Sequence, residues 1–142
     1  MGQSYISQSL RQAIMARSPA YCCYCLTQQE NSGVRLTVDH IIPESLGGMT
    51  VLNNLCLACW DCNLIKGRRI SAVSPLNQEE VALFHPLTQV WKEHFRWSED
   101  ASLIVGLTPA GEATIHALKL NRLPLVEARR RWTKVGWHPP NG

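Results

Sequence analysis

The spacing of apolar and polar positions predicts short helices and strands in the N-terminal half of the chain. Residues 7–15 have apolar side chains at helical spacing, which indicates an amphipathic helix. Residues 34–38 alternate apolar and polar side chains and include β-branched residues, as a short strand does. Gly47-Gly48 marks a turn, and residues 61–69 suit a helix. This half is therefore predicted to mix helix and strand.

The C-terminal half is predicted to hold a helix, a hairpin and two further helices. Asn77 is a good N-cap for a helix over residues 78–84, and Pro86 ends it. The elements after it are a hairpin of residues 94–97 and 103–107, a helix from Thr108-Pro109 and a last helix from near Pro124. The fold class expected for the whole chain is α+β.

Composition sets the scale of the protein. Its 142 residues are 45% hydrophobic and 18% charged, as in a folded domain of ordinary size. No apolar run approaches the ~18 residues of a membrane span, and no secretory signal is recognisable, so we expect a soluble, cytoplasmic protein. The net charge of +3 is too mild to identify a partner by itself. It hides a basic segment from residue 119 onward, where six basic side chains stand against one acidic.

The six cysteines are the most informative residues. All lie in the first half, at positions Cys22, Cys23, Cys25, Cys56, Cys59 and Cys62. Two C-x2-C pairs in a reducing compartment favour a metal over disulfides, and four thiolates form the tetrahedral set that structural zinc prefers. We therefore predict one structural zinc per chain, held by Cys22, Cys25, Cys59 and Cys62. Two alternatives stay open: buried thiols without a metal, and Cys23 as a ligand in place of Cys22.

Chemistry is expected in the 33 residues between the two cysteine pairs and just after them, because a four-thiolate zinc has no open position. Asp39-His40 and Asn54 lie in this insert, and Asn63 follows the last cysteine. Carboxylate and amide oxygens are hard ligands suited to Mg²⁺ or Mn²⁺, and a histidine beside such an ion can act as a general base. Taken alone, an Asp-His or Asn-Asn pair is more often part of a turn.

In order and spacing, these residues resemble the HNH endonuclease family, also called the ββα-metal or His-Me finger nucleases. The matching motifs are residues 21–25, 38–43, 47–48, 53–55 and 58–63, followed by Lys66-Gly67. The resemblance implies a small ββα-metal core stapled by the four-cysteine zinc site. It places an HNH nuclease domain at residues 1–71, with its N-terminal helix, and a C-terminal extension of hairpin and helices at residues 72–142. We expect the extension to pack on the nuclease core.

The resemblance also implies residue roles. Asp39 and Asn63 would hold one catalytic divalent ion, and His40 would deprotonate the attacking water. Asn54 would position His40, either by fixing the loop or by bonding to the ring. The last motif position is often histidine in the family and is Asn63 here, which favours Mg²⁺ or Mn²⁺ over softer metals.

Basic residues of two segments are candidates for DNA binding. They are Lys66, Arg68 and Arg69 after the motif, and Arg129, Arg130 and Arg131 near the C-terminus. Contact with backbone phosphates would position the DNA without reading its sequence. The alternative for both segments is a solvated helix surface.

The sequence therefore predicts a metal-dependent DNA endonuclease of the HNH type that nicks or cuts phosphodiester bonds. Double-stranded DNA is the expected partner, no membrane is involved, and the protein is a monomer or a homodimer. The alternative is a zinc-stabilised DNA-binding module whose nuclease activity is vestigial or absent. Plasmid nicking would separate the two.

Overall fold

The computed structural model describes residues 5–140, and its helices and strands divide between two units at the boundary of Ile70 and Ser71. The first unit has helices α1 (Gln8–Arg17), α2 (Gln29–Ser32) and α3 (Trp60–Lys66), strands β1 (Thr37–His40) and β2 (Leu55–Ala58), and 3-10 turns at Glu44–Leu46 and Leu52–Asn54. Strands β1 and β2 pair antiparallel with Asp39 opposite Cys56, and α3 follows β2. The order β1, β2, α3 is the ββα arrangement that the resemblance implies.

Apolar side chains of the hairpin and of α1 form the small core of the first unit. Strand β2 is buried along its whole length, and Val38 of β1 and Ile14 of α1 are buried with it. Helix α1 begins at its N-cap Ser7, and the Arg17 side chain at its other end donates to the carbonyls of Leu52 and Leu55. These bonds tie the N-terminal helix to the segment that leads into β2.

Residues 71–140 of the second unit form two hairpins and three helices. Its elements are β3 (Ser71–Val73), β4 (Glu80–Ala82), α4 (Trp91–His94), β5 (Phe95–Trp97), β6 (Ile104–Gly106), α5 (Pro109–Leu118) and α6 (Leu123–Lys134). Strand β3 pairs with β4 and β5 pairs with β6, both antiparallel. Helix α5 is largely buried, and the Thr108 hydroxyl caps it by accepting from Gly111 N. The predicted hairpin and both later helices are confirmed.

The helix predicted over residues 78–84 is wrong. Residues of this segment form β4, which pairs with β3 across a tight connection. Gln78 has φ of +60°, a left-handed conformation that a right-handed helix does not accommodate. Local helix propensity gives way here to strand pairing with residues that precede the turn. The strand predicted at residues 34–38 is found slightly later, at Thr37–His40.

A cluster of aromatic side chains adds to the aliphatic core of the second unit, with Phe84 and Phe95 buried and Trp91 and Trp97 half-buried. Phe84 packs edge-on against Phe95 with ring centroids 5.2 Å apart, and Trp91 lies between Phe95 and Trp97 at 5.0 and 5.4 Å. The ring of His138 packs on Trp97 at 4.4 Å. Aromatic pairs at these distances add to the stabilisation from area burial alone. None of the helices within residues 5–140 is long and apolar enough to cross a membrane.

Candidate functional site

The two cysteine pairs come together in the first unit. Cys22 and Cys25 lie in a tight loop closed by the bridge between Tyr21 and Gln28, and Cys59 and Cys62 lie at the start of α3. The four sulfur atoms of these cysteines all lie within 4.8 Å of one another. The cysteines are positioned to hold a metal ion.

Backbone amides surround the sulfur atoms. Cys22 Sγ accepts from the amides of Tyr24 and Cys25 at 3.4 and 3.5 Å. Cys59 Sγ accepts from the Cys62 amide at 3.4 Å and so serves as the N-cap of α3. Such amide donors stabilise negative charge on sulfur at a helix N-terminus. The helix that follows is therefore capped by a side chain of the cysteine cluster.

The negative charge of four ionised thiols in this cluster requires a cation to balance it. Burial raises the pKa of the Cys22 thiol well above its ordinary value. Hydrogen bonding from Cys22 lowers the pKa of Cys25 and Cys59. Four neighbouring thiolates repel one another, so full ionisation needs a positive ion among them. The set fits a structural zinc with a complete tetrahedral shell of four sulfurs.

Cys23 and Cys56 lie outside this cluster. Their sulfur atoms are 2.8 Å apart, and the Cys23 amide donates to the Leu57 carbonyl of β2. The alternative in which Cys23 replaces Cys22 as a ligand is therefore wrong. Cys56 is buried in β2, where it takes the place of a small hydrophobic residue.

A cleft of about 360 Å³ lies beside α3. Three of the residues predicted for catalysis line it together: Asp39 and His40 from the end of β1, and Asn63 from α3. The rest of its wall is formed by Pro43, Glu44, Ser45, Trp60, Leu64, Gly67 and Arg68. Asn54, the fourth predicted residue, does not line the cleft.

His40 is held through one ring nitrogen. Its Nε2 lies 2.9 Å from the hydroxyl of Thr50 and 3.9 Å from a carboxylate oxygen of Glu44. Its Nδ1 makes no hydrogen bond with the described part of the chain. The arrangement leaves one nitrogen for a ligand or a water. Sequence reasoning missed Thr50 and Glu44, because a lone Thr after a glycine turn carries no signal of its own.

Asn54 fixes the loop that follows His40. Its Oδ1 accepts from the amide of Ile42 at 2.9 Å, and its Nδ2 donates to the carbonyls of Ile42 and Met49 at 2.9 and 3.0 Å. Among the two contacts proposed for Asn54, the structure has the loop and not the ring. Gly48 allows this approach, because a Cβ there would lie only 1.7 Å from the Ile42 carbonyl oxygen.

Asp39 is buried within a polar cluster and is only 3% exposed. Its carboxylate accepts from the hydroxyl of Tyr24 at 2.8 Å and pairs with the ammonium of Lys66 at 3.2 Å. Burial raises the pKa of Asp39 above its ordinary value, and both Lys66 and Tyr24 oppose that rise. The sequence alone gave no reason to connect Tyr24 with Asp39.

Asn63 reaches from α3 to β1. Its Nδ2 donates to the Thr37 hydroxyl at 3.0 Å and to the Val38 carbonyl at 3.3 Å. Its Oδ1 accepts no hydrogen bond from the residues that the structure describes. Both lone pairs of that oxygen therefore remain available, and Asp39 lines the same cleft. Oxygen donors of this kind suit a hard divalent cation that keeps several waters.

Two of the six predicted DNA contacts are wrong, because their side chains are buried. Lys66 is 2% exposed, and besides Asp39 its ammonium donates to the carbonyls of His40 and Ile41. Arg129 is fully buried in the second unit, where it donates to Leu120 O at 2.7 Å and to Ser102 O at 3.0 Å. The remaining four, Arg68, Arg69, Arg130 and Arg131, are exposed.

Comparison with protein families identifies the region that contains this cleft. The family model HNH endonuclease matches residues 22–69. This region is an HNH domain. The matched range of the HNH domain includes all four clustered cysteines and the residues Asp39, His40, Asn54 and Asn63. No curated protein and no solved structure matches the chain.

Proposed function

We propose that the protein is a metal-dependent DNA endonuclease that hydrolyses phosphodiester bonds in the cleft of its HNH domain. The observation that carries the proposal is the shared cleft of Asp39, His40 and Asn63. A histidine with one free ring nitrogen lies there beside two oxygen donors, which is the set needed for water activation next to a phosphate.

His40 is the proposed general base. The Thr50 hydroxyl holds Nε2, so Nδ1 is the atom that takes a proton from the water that attacks the scissile phosphate. Asn54 is a positioning residue, because its three bonds fix the backbone of the loop after His40. A base held in one orientation gains much of its advantage from that preorganisation.

Asp39 and Asn63 are the residues that would hold Mg²⁺ or Mn²⁺. Both residues line the cleft and have oxygen donors, and the Asn63 Oδ1 lone pairs are unused by the described chain. When bound, the ion would stabilise the charge that develops on the phosphate and on the leaving O3′. Lys66 orients the Asp39 carboxylate through the ion pair of 3.2 Å and favours its ionised form against the effect of burial.

Duplex DNA is the proposed substrate, held partly by exposed cations. Arg68 lines the cleft and Arg69 follows it, and both are exposed at the end of α3. Arg130 and Arg131 provide exposed charge on α6 in the second unit. Phosphate contacts of this kind make affinity fall steeply as salt rises.

Nicking of supercoiled plasmid in Mg²⁺ or Mn²⁺ tests the proposal. Wild-type protein is expected to nick, and His40→Ala is expected to lose about 10²- to 10⁴-fold in rate, the usual contribution of a general base. His116→Ala, which removes an exposed histidine of the second unit, is the matched control and should nick like wild type. Breakage at O3′ leaves 5′-phosphate ends, so DNA ligase should reseal the nicks directly.

The plasmid experiment also separates the enzyme from a zinc-stabilised DNA-binding module. If wild type and His40→Ala bind the plasmid equally and neither nicks it in either metal, the endonuclease proposal is wrong. If His40→Ala nicks as fast as wild type, His40 is not the base.

A further inference from the structure

An exposed aromatic ring stands at the entrance to α3 beside the candidate catalytic groups. Trp60 is the first residue of this helix, is 58% exposed, and lines the same cleft as Asp39 and His40. Leu64, one helical turn later, is 66% exposed and lines the cleft as well. One wall of the cleft is thus apolar and open to solvent.

The exposure of Trp60 and Leu64 is explained neither by the hydrolysis chemistry nor by the packing of the core. Attack on a phosphate needs a base, oxygen donors and cations, none of which Trp60 or Leu64 supplies. Neither side chain belongs to the buried core of the first unit. Exposed apolar surface next to a polar site is a common mark of ligand contact.

The position of Trp60 is fixed by its neighbours. It follows Cys59, which caps α3, and precedes Cys62 by two residues, so the metal-binding cluster anchors its backbone on both sides. Helical spacing then aligns Trp60 and Leu64 one turn apart on one face of α3. Arg68 follows the end of the helix and lines the same cleft, so an aromatic ring, an aliphatic side chain and a cation border one opening.

We propose that Trp60 stacks on an unpaired nucleobase next to the scissile phosphate, with Arg68 contacting a neighbouring phosphate. The inference rests on the proposed function and adds a substrate class to it: DNA in which a base is unpaired, such as a bulge or a flap. A paired base inside a duplex already stacks on its neighbours and offers no face to the ring. Stacking on aromatic side chains is tolerant of base identity, so the preference is for structure and not for sequence.

Charge on the described residues supports a nucleic-acid strand as the occupant of this face. Arg68 and Arg69 lie at the end of the helix that carries the ring, and both are exposed. A strand that places a phosphate beside Arg68 would bring its sugar and base alongside Leu64 and Trp60. The combination of aromatic platform and flanking cations is the usual construction of single-strand binding surfaces.

Equilibrium binding tests this proposal without requiring cleavage. The full chain carrying His40→Ala is titrated, in Mg²⁺, against three labelled duplexes: fully paired, with a single-nucleotide bulge, and with an abasic bulge. We expect the bulged duplex to bind tightest. In the same background, Trp60→Ala should weaken binding to it about 5- to 150-fold, the range for loss of one base–aromatic stack. Trp60→Phe should retain most of the affinity.

Trp137→Ala is the matched control, because Trp137 is 53% exposed and lies in the second unit. It should leave the bulge preference unchanged. The proposal is overturned if the abasic and base-containing bulges bind equally, or if Trp60→Ala binds the bulged duplex as tightly as Trp60 protein. If the protein nicks plasmid but Trp60→Ala does not change its affinity for the bulged duplex, the stacking proposal is wrong and the endonuclease proposal stands.

If the preference for the bulged duplex depends on Trp60 but the protein nicks no plasmid, the endonuclease proposal is wrong and the stacking proposal stands. Absence of all DNA binding would overturn both.

Discussion

The two units of the chain are stabilised in different ways. In the first unit, the largest groups of buried side chains include sulfur and charge: the four clustered cysteines, and Asp39 with Lys66. In the second unit, the buried centre is apolar, with aliphatic side chains of α5 and α6 and the rings of Phe84 and Phe95, and the half-buried Trp91 and Trp97 pack beside it. The contrast teaches that the unit with the candidate chemistry depends for its fold on polar groups that also shape its cleft.

Among residues 5–140, each unit contains one buried lysine or arginine side chain, and the two are held by different partners. Lys66 pairs with the carboxylate of Asp39 and donates to two backbone carbonyls. Arg129 donates to backbone carbonyls of its unit and lies over the ring of Trp97, with its guanidinium carbon 5.3 Å from the centroid. Removal of Lys66 would leave Asp39, a residue of the cleft, without its charged partner, whereas removal of Arg129 would affect no residue of the cleft.

Loss of the metal should have the largest effect and should be confined mainly to the first unit. Zinc binding to sites of this kind contributes about 10–16 kcal/mol to folding. Cys62→Ala removes one ligand and should abolish stoichiometric zinc, with loss of amide-exchange protection in β1, β2 and α3. Residues 71–140 should keep more of their protection, because their core is apolar. Metal analysis and amide exchange measure the two effects.

Cys56→Ala is the control for the metal experiment, since this thiol is equally buried but lies outside the cluster. It should retain one zinc per chain. If Cys62→Ala still holds one zinc, Cys62 is not a ligand. If amide protection falls equally in both units, the stabilising effect of the metal is not confined to the first unit.

Removal of the Lys66 ammonium should have the next largest effect. Lys66→Met leaves the Asp39 carboxylate buried without its cation, which costs about 3–5 kcal/mol of stability in comparable pairs. The measurement is the free energy of opening of β1 and β2 from amide exchange, with zinc present. Arg68→Met, on the exposed surface of the same segment, should change it by less than about 0.5 kcal/mol. If both substitutions change the free energy of opening equally, Lys66 does not stabilise the first unit through its pair with Asp39.

The smallest effect concerns an exposed acid in the second unit. Hydrogen bonds from the side chain and amide of Ser102, and from Ser98, lower the pKa of Asp100 to about 2. A lowered pKa stabilises the folded state above the ordinary value of 3.8, and the gain disappears as the pH falls through about 2. Asp100→Asn should therefore unfold at slightly lower urea than wild type at pH 5, and the difference should vanish near pH 2.

Tryptophan fluorescence follows this transition, because four of the five tryptophans lie in the second unit. Glu99→Gln changes the adjacent exposed acid, which makes no hydrogen bond with the described residues, and should leave the midpoint unchanged. A difference between Asp100→Asn and wild type that stays constant down to pH 2 would contradict the assigned pKa.

The cysteine cluster and the main motif were predictable from the sequence because their signals are local. Two residues between cysteines, or an Asp-His pair before a proline, restrict the geometry by themselves. The predictions that are wrong concern residues whose partners are distant in the chain. Lys66 looks like a solvated cation until β1 places Asp39 and two carbonyls around it. Segment 78–84 looks helical until β3 offers a strand to pair with.

Thr50 illustrates the same limit at the candidate site. Its hydroxyl contacts His40, which lies 10 residues earlier in the chain, because Asn54 closes the loop between them. No local pattern marks such a residue, since its role depends on the fold of the whole loop. Contacts of this kind become visible only in three dimensions.

The loop closed by Asn54 has a consequence for variation. Asn54 grips the backbone of Ile42 and Met49, and the close approach of Gly48 excludes any side chain at that position. The bonds of Asn54 to main-chain atoms thus fix the backbone around His40, whereas Glu44 is constrained as well, because its carboxylate lies 3.9 Å from the His40 ring. Ser45 lines the same cleft and makes no hydrogen bond with the described residues, so it is the position in this loop where a side chain can be exchanged while the contacts of the histidine are kept.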